Sequence, residues 1–414
     1  MRRSRKILLI ANNFPPVRGG SAVVYDNLAR FSEGKVMVVA ARINYTDGLP
    51  LIGWREHDRL APYRVLRLKL LRTVIADMAG GGGSRRLVFL AADVWIRVRL
   101  ALVLVWLVMR DNVRTVCVGE LLASGWVFDV LRLFPFVRRL VYVHGEEITT
   151  EDPYDEDFRR RRRALHAADR IIVVSHFTQS VVRDLLGPSA AQKIDLIENG
   201  VDTARFRPGP RNAKLVAQYR LESCFVFVSV CRLLEKKGID HAIRAFATLA
   251  AQDPQLRYLI VGTGPYAETL QRIAGDVGVE GQVIFTGQVP DDELVDHYRL
   301  GDVFVMPNRA LANGDTEGFG LVFLEANGCG LPVIAGRDGG STDAVRDGVN
   351  GLVVDGASVP AIAAAMQALR DDGALRARLT AGGAAAAEAA DWRGKARTFR
   401  GLCDAETGLV PARA

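Results

Sequence analysis

Short, continuous runs of apolar residues alternate with helical segments along most of this chain. The runs of the first half are Lys6–Ala11, Val36–Ala40, Val65–Leu68, Thr115–Val118, Leu140–His144 and Arg170–Ser175. Runs of Val, Ile and Leu without alternating polar residues are typical of strands that are covered on both faces. Helical segments between such strands predict βαβ units and a parallel sheet.

A second series has the same pattern: Phe225–Val230, Arg257–Gly262, Val283–Thr286, Val303–Pro307, Pro332–Ala335 and Gly351–Val354. The two series predict an α/β chain with two Rossmann-like, doubly wound domains that face an interdomain cleft. Because Pro208-Gly209-Pro210 interrupts any regular element, we place the first domain at residues 1–205 and the second at 206–385. Ligands of such sheets bind at the carboxyl ends of the strands, so the cleft is the default site.

The composition limits the kinds of molecule that this chain is expected to bind and the compartment in which it is expected to act. The formal net charge of +7 favours an anionic partner. The sequence has no zinc-finger spacing, RNP-type aromatic motif or helix-turn-helix signature, so nucleic acid is not predicted. Five scattered cysteines without CxxC spacing argue against a disulfide framework and for a reducing, cytoplasmic compartment. Ile7–Ala11 is too short for a signal peptide, and ten residues at Leu100–Met109 cannot cross ~30 Å of hydrocarbon.

Glu317 and Glu325 bracket the segment Gly318–Leu324, whose apolar run predicts a buried helix. Eight residues at ~3.6 per turn would return the second carboxylate to nearly the face of the first. Glycine amides and a helix N-terminus suit a phosphate, and carboxylates suit sugar hydroxyls. The alternative is a solvent-facing acidic pair beside a core helix.

Arg232 and Lys237 follow the strand Phe225–Val230, where a guanidinium fork and an ammonium could clamp a diphosphate. The alternative is a pair of solvated loop cations. His144 closes the strand that begins at Leu140, a position at which a lone histidine is usually structural.

The E-x(7)-E spacing with Gly-Phe-Gly, together with Arg232 and Lys237-Gly238, resembles the donor site of the retaining glycosyltransferases of family 4, which have the GT-B fold. The amino-acid sequence around Glu317 is similar to that of the phosphatidylinositol mannosyltransferase-like group. The resemblance implies that Glu317 holds sugar hydroxyls, that Glu325 holds the ribose, and that Arg232 and Lys237 hold the diphosphate. Further substrate contacts are implied at Gly19, Gly20, Gly262, Val289, Gly318, Phe319, Gly320 and Leu321.

The resemblance also implies that His144 orients the sugar or the acceptor rather than abstracting a proton, and that a last helix, at about residues 390–404, returns to the first domain. The sequence offers no hydrolase-like carboxylate pair, and the acids at Asp155 and Asp157 are expected to pair with the arginine run Arg159–Arg163 on a solvated helix rather than to hold a metal. The resemblance implies a hexosyltransferase that acts with retention, without a metal or a cofactor, and with GDP-mannose or a UDP-sugar as its co-substrate. The acceptor would be a cell-envelope glycan or a lipid-linked molecule.

The segment Arg64–Arg114 carries ten Lys and Arg against three acids, interleaved with Leu, Val and Trp. Such segments bind anionic membrane surfaces, so we predict peripheral association with the inner face of the plasma membrane. An ordinary buried helix with cationic edges is the alternative. Two other functions fit the same fold: a catalytically silent nucleotide-sugar-binding subunit, and a nucleotide-sugar epimerase.

Overall fold

Two parallel sheets form the framework of the chain. The computed structural model describes residues 5–74, 83–151, 155 and 157–404. The strands of the first sheet are β1 Lys6–Ala11, β2 Val36–Ala41, β3 Arg64–Leu68, β4 Val113–Val118, β5 Arg138–Val143, β6 Arg170–Val173 and β7 Ile194–Leu196. Those of the second are β8 Phe225–Val230, β9 Leu256–Val261, β10 Val283–Gly287, β11 Val303–Met306, β12 Val333–Gly336 and β13 Gly351–Val354.

Helices cover both faces of each sheet. In the first half they are α1 Gly20–Arg30, α2 Trp54–Leu60, α3 Gly83–Arg110, α4 Leu121–Ser124, α5 Val127–Leu131, α6 Glu146–Thr149, α7 Arg159–Ala167 and α8 His176–Leu186. In the second half they are α9 Ala213–Tyr219, α10 Ile239–Ala250, α11 Ala267–Asp276, α12 Leu294–Arg299, α13 Leu321–Gly328, α14 Ser341–Ala344, α15 Val359–Asp371, α16 Gly373–Ala389 and α17 Trp392–Asp404.

The strand orders are β3-β2-β1-β4-β5-β6-β7 and β10-β9-β8-β11-β12-β13, and the paired strands run parallel. This confirms the predicted pair of doubly wound domains. Every predicted strand is present to within two residues at each end. The prediction missed β7, because its three residues include Asp195 and follow the 3₁₀ turn Pro188–Lys193, so no apolar run marks it.

The strand order of each sheet reverses at one point, and these two points face the ligand sites of doubly wound folds. In the first sheet the reversal lies between β1 and β4, where Leu9 pairs with Val38 on one side and with Cys117 on the other. In the second sheet it lies between β8 and β11. The loops that leave these strands at their carboxyl ends carry most of the residues described below.

The last helix, α17, packs on the first domain although it follows the second in sequence. The Thr115 hydroxyl donates to the Cys403 carbonyl oxygen over 3.0 Å, and the Lys35 ammonium lies 2.8 Å from the Asp404 carboxylate. Phe399 is fully buried against the Tyr142 ring. The chain therefore crosses between the domains once near residues 202–212 and again before Trp392.

Helix α3 is longer than its apolar run predicts and has two apolar faces. Leu100, Leu104 and Leu107 are buried against the first sheet. An outward stripe of large apolar side chains includes Leu87, Val94, Trp95, Val98, Leu102, Trp106 and Met109. No helix in the described ranges is both long and apolar enough to span a bilayer. Residues 75–82, which belong to the basic segment Arg64–Arg114, lie outside the described residues.

Replacing Phe399 with alanine should destabilise the chain by about 3–5 kcal/mol, because a buried ring is lost from the seam between α17 and the first domain. Urea unfolding followed by circular dichroism measures the change. Arg397→Ala, on the exposed side of the same helix, is the control and should stay within about 0.5 kcal/mol of the wild type. Equal unfolding midpoints for both variants would show that the helix does not hold the first domain.

Candidate active site

Two loops of the second domain are joined at its strand-order reversal. A Cβ atom on Gly238 would lie 2.0 Å from the Pro307 carbonyl oxygen, so only glycine, here at φ +71°, allows this approach. The Arg309 amide donates to the Lys236 carbonyl oxygen over 2.8 Å, and its guanidinium binds both carboxylate oxygens of Asp240. The loop after β8 and the loop after β11 are therefore fixed relative to each other.

Lys237 and Glu317 form a direct, mostly buried ion pair between these loops. Burial alone would raise the pKa of the Glu317 carboxyl, but the Lys237 ammonium and its hydrogen bond outweigh burial and hold the pKa below its ordinary value. Burial likewise opposes the charge on Lys237, and the Glu317 carboxylate nevertheless raises the pKa of the ammonium. Both groups are thus charged at neutral pH.

The neighbouring cations differ in environment. Lys236 is buried, and its ammonium contacts the Asp315 carboxylate at 2.6 Å and the Thr316 carbonyl oxygen at 3.3 Å. Arg232 is exposed, and no residue in the described ranges forms a hydrogen bond or ion pair with its side chain. Lys236 therefore supports the loop from inside, whereas Arg232 has its five N–H donors available for a ligand.

The segment between the two glutamates is not one helix, so the expectation that they share a helical face is wrong. Gly320 has a φ of +89° and precedes α13, which begins only at Leu321. Glu317 lies in the preceding loop. Glu325 lies on α13 and accepts a hydrogen bond from the Tyr298 hydroxyl at 2.7 Å. Burial raises the pKa of Glu325, and the Tyr298 hydrogen bond only partly opposes this.

The two domains touch through glycine backbone on either side of the cleft. A Cβ atom on Gly318 would lie 1.8 Å from the His144 carbonyl oxygen, and one on Gly145 would lie 3.0 Å from the Gly318 Cα atom. The backbone of Gly340 approaches Gly318 from behind, since its amide donates to the Glu317 carbonyl oxygen over 2.7 Å. This contact brings the end of β5 within a few ångströms of Glu317.

His144 lies on the first-domain side of that contact. Its Nε2 lies 2.8 Å from the Tyr25 hydroxyl, which donates its proton to the Gly119 carbonyl oxygen. Nε2 must therefore carry the imidazole proton, which leaves Nδ1 as a hydrogen-bond acceptor. Burial lowers the pKa of the imidazole to about 3, so the ring is neutral at physiological pH. A stacking contact with Tyr142 fixes its plane.

The remaining predicted residues lie on loops at the facing edges of the two domains. Gly19 and Gly20 start α1, and both are exposed; a Cβ atom on Gly20 would lie 3.6 Å from Leu321. The adjacent Arg18 guanidinium donates to the Val289 carbonyl oxygen over 2.7 Å and so bridges the domains. Gly262, at φ +134°, lets its backbone approach the Cys231 carbonyl oxygen. Phe319, Gly320 and Leu321 are largely buried beneath Gly318.

Three polar residues near His144 were missed or left without a role by sequence reasoning. Tyr25 is hidden in the apolar face of α1. Glu120 follows β4, and its carboxylate accepts from the Asn12 and Asn13 amides at 2.8 and 3.0 Å. Glu147 accepts from the His144 amide at 2.7 Å. Asn12 and Glu120 directly follow β1 and β4, the two strands beside the strand-order reversal. Their position after these strands is the sequence feature from which a place at the site could have been predicted.

One group of side chains has the composition of a metal site. Ligand atoms of His176, Glu198 and Asp343 lie within 4.8 Å of one another, and the His176 Nδ1 atom lies 2.5 Å from the Asp343 carboxylate. The Lys395 ammonium already pairs with Glu198 at 3.3 Å. A hydrogen bond between His176 and Asp343 and the Lys395–Glu198 ion pair thus join these side chains, which connect the two domains and α17.

Comparison with known proteins agrees with this architecture. The family described as Glycosyl transferases group 1 matches residues 214–385, and Glycosyltransferase Family 4 matches residues 56–205. The crystal structure of HepE from Anabaena in complex with UDP and glucose superposes with a TM-score of 0.75 at 20% identity, covering 97% of this chain and all of that one. At this identity the likeness supports the fold alone.

Two relatives carry the same name, GDP-mannose-dependent alpha-(1-6)-phosphatidylinositol monomannoside mannosyltransferase. The protein from Mycobacterium tuberculosis is 34% identical over 394 residues, which cover 94% of each chain. The protein from Mycolicibacterium smegmatis is 45% identical over 213 residues, or 51% of this chain and 55% of that one, so this second match spans about half of each protein. With two parallel-sheet domains, matches in both halves and a relative aligned almost end to end, this chain belongs to the family 4 glycosyltransferases and has the GT-B fold.

Proposed function

We propose that this glycosyltransferase moves a hexose from a nucleoside-diphosphate sugar to a cell-envelope glycan or lipid-linked acceptor, with retention of the anomeric configuration and without a metal ion. The observation that carries the proposal is the Lys237–Glu317 ion pair, which lies at the strand-order reversal of the second sheet beside the exposed Arg232. GDP-mannose is the donor we favour, because both mannosyltransferase relatives are named for it.

Cationic and carboxylate side chains of the second domain would bind different parts of the donor. Arg232 and Lys237 would hold the diphosphate, because a guanidinium fork and a charged ammonium suit its oxygens. Glu317 would accept hydrogen bonds from the sugar, and Glu325 would accept them from the ribose. The Gly262 and Val289 backbone would border the base, in the part of the cleft that Arg18 bridges.

Departure of the nucleoside diphosphate leaves negative charge on a phosphate oxygen. Fixed cations and amides stabilise such charge without reorganisation, and this would be the main contribution of Arg232 and Lys237 to the rate. The bond from the anomeric carbon to phosphate would break as the bond to the acceptor hydroxyl forms on the same face. The leaving phosphate oxygen would take the acceptor proton, since Glu317 is engaged by Lys237 and His144 is too weak a base.

His144 would orient the reacting partners. Its Nδ1 atom can accept a hydrogen bond from a sugar or acceptor hydroxyl, because Nε2 is held by Tyr25. With a pKa of about 3 the ring stays neutral and keeps this role across the physiological pH range. The Gly145–Gly318 contact would place this nitrogen beside the transferred sugar.

Peripheral membrane association would bring the chain to a lipid-linked acceptor. The outward stripe of α3 exposes 68% of Trp95, 67% of Leu102 and 71% of Met109, which forms an apolar patch of the kind that marks membrane or protein contacts. Several cations of the basic segment are already paired, including Arg64 with Asp111 and Arg67 with Asp58. Apolar insertion would therefore contribute more than charge.

Glu317→Gln should reduce donor turnover by about 10²–10³-fold, because the variant removes the carboxylate charge, keeps only one oxygen that can accept from sugar hydroxyls, and leaves Lys237 without its counter-charge. The measurement is release of nucleoside diphosphate from GDP-mannose and from UDP-sugars, with the product anomer identified by NMR. Glu280→Gln removes an exposed carboxylate elsewhere in the second domain and should leave turnover unchanged.

Wild-type turnover retained by Glu317→Gln would refute the assigned role. A wild-type chain that binds donor in a thermal-shift assay, yet releases no nucleoside diphosphate with any acceptor, would support a silent binding subunit instead. A donor whose sugar is changed to its epimer and remains attached to the nucleotide would support the epimerase.

Liposome flotation tests the membrane contact. The wild type should float with anionic vesicles, and the double variant Trp95→Ser with Trp106→Ser should stay in the dense fraction, since it removes two exposed rings of the stripe. Val349→Ser, an exposed apolar residue of the second domain, is the control and should float like the wild type. A wild-type chain that stays unbound at low salt contradicts the proposal.

A further inference from the structure

Arg72 lies in the loop after β3, at the carboxyl edge of the first sheet. Its guanidinium is 4.8 Å from the centroid of the Tyr45 ring, within the range of a cation–π contact. Tyr45 belongs to the loop after β2, and Asn12 and Glu120 directly follow β1 and β4. Because β3, β2, β1 and β4 are neighbours and run parallel, all four residues emerge at the same edge of the sheet.

The charge of Arg72 acts on Glu120 without forming an ion pair with it. Burial raises the pKa of the Glu120 carboxyl, whereas the hydrogen bonds from Asn12 and Asn13 and the Arg72 charge oppose this rise. Burial also raises the pKa of the Tyr45 phenol, the Glu120 carboxylate adds to the rise, and Arg72 opposes it. Among the residues that the structure describes, none forms an ion pair or a hydrogen bond with the Arg72 side chain. Arg72 is therefore near Glu120 but not in contact with it.

The contacts of Arg72 and Glu120 leave the guanidinium donors for a ligand. A guanidinium that lies over a ring keeps its N–H groups at its own edge, where a bound molecule can reach them. The Glu120 carboxylate already accepts from the Asn12 amide at 2.8 Å, from the Asn12 side chain at 3.2 Å and from the Asn13 amide at 3.0 Å. Because a guanidinium fork matches the geometry of phosphate oxygens, Arg72 suits a phosphate group.

Two hydrogen-bond acceptors at the same edge suit hydroxyl groups. The Asn12 side chain is only 3% exposed, and its Oδ1 atom has no hydrogen-bond partner within the described ranges. The His144 Nδ1 atom is the second acceptor, since Nε2 carries the imidazole proton. A buried acceptor without a donor costs free energy, so a ligand hydroxyl would be stabilised here. This edge therefore fits a molecule that carries both hydroxyl groups and a phosphate.

We propose that Arg72, stacked on Tyr45, binds a phosphate group of the acceptor and so selects a phosphorylated, hydroxyl-bearing ring over the neutral ring. The inference rests on the proposed function, because it concerns the acceptor side of the same cleft. Arg72 would determine specificity, since it holds a part of the acceptor that does not react. The phosphomonoester of a soluble ring and the phosphodiester of a lipid headgroup offer the same oxygens, and both fit this contact.

Two matched pairs of rings test the proposal: methyl α-mannoside against mannose 6-phosphate, and myo-inositol against inositol 1-phosphate. Binding is measured by calorimetry in the presence of GDP, and transfer is measured with GDP-mannose. The wild type should bind the phosphorylated member of at least one pair about tenfold more tightly, the gain expected from one charge-assisted hydrogen bond.

Glycerophosphoinositol, the phosphodiester of a deacylated lipid, distinguishes the two sources of phosphate. Binding at least as tight as that of inositol 1-phosphate would support the site and assign it to a lipid headgroup. Weaker binding of the diester, with the preference for the monoester retained, would support the site and assign it to a soluble phosphate.

Arg72→Gln should abolish the preference, and Arg72→Lys should retain part of it, because an ammonium keeps the charge but loses the fork. Tyr45→Phe keeps the ring and should retain the preference, whereas Tyr45→Leu should reduce it. Arg114→Gln is the matched control: that guanidinium also lies over a ring, 4.6 Å from the Phe136 centroid, but near the amino end of β4. It should retain the full preference. Thermal unfolding checks that each variant is folded.

Equal affinity for both members of both pairs, tighter binding of the neutral rings, or no binding of either phosphorylated ring would each overturn the inference. So would a preference that Arg72→Gln leaves intact. If Arg72→Gln weakened the binding of neutral and phosphorylated rings alike, Arg72 would have only a structural role beside Glu120, which also contradicts the inference.

Donor hydrolysis without acceptor separates failure of this inference from failure of the proposed function. A wild type that hydrolyses donor but does not discriminate between the rings refutes only the phosphate contact of Arg72. One that hydrolyses no donor and transfers no sugar refutes the enzyme.

Discussion

The contact of Gly318 with the His144 carbonyl oxygen is the constraint on which the rest of the site depends. Backbone meets backbone there, and a single methyl group on Gly318 would lie 1.8 Å from that oxygen. The contact buries no large side chain and therefore contributes little hydrophobic stabilisation. Its effect is geometric, because it sets the distance between the His144 imidazole on one domain and the Lys237–Glu317 pair on the other.

Each domain gathers polar side chains at the same topological position, the strand-order reversal of its sheet. The reversal between β8 and β11 gathers cations and Glu317, which suits a donor that is both anionic and rich in hydroxyls. The reversal between β1 and β4 gathers Asn12 and Glu120, whose hydrogen bonds hold the two loops there together. Buried, paired groups on both sides keep their geometry without a ligand, as preorganised catalytic sites require.

Much of this arrangement could be predicted from the sequence, for identifiable physical reasons. Strands covered on both faces leave continuous apolar runs, so twelve of the thirteen strands were identified, and only the three-residue β7 left no such run. Arg232, Lys237 and Glu317 lie close to glycines and strand ends, and both features can be recognised from the sequence alone. The predicted helix between the two glutamates began too early. Gly320 has a positive φ that interrupts the backbone before Leu321, and the periodicity of apolar residues does not reveal this.

What the sequence could not reveal are contacts between distant segments. The pairing of Lys237 with Glu317, of Tyr298 with Glu325 and of Arg18 with the Val289 carbonyl depends on how loops from separate strands meet. Tyr25 has the burial of an ordinary core residue, and only its hydroxyl partners show that it fixes the His144 tautomer. The exposed stripe of α3 was likewise hidden, because an apolar residue in a sequence does not show which face of a helix it occupies.

Substitution of Gly318 by alanine tests the central claim most directly, because the backbone conformation at this position is accessible to alanine and only the cross-domain contact forbids it. Affinity for GDP, measured by calorimetry, and the rate of donor turnover should be compared with those of Gly281→Ala, where a methyl group meets open space. The account predicts that Gly318→Ala still binds GDP but loses turnover by about 100-fold, as expected when reacting groups shift by about 1 Å. Turnover at the wild-type rate would contradict it.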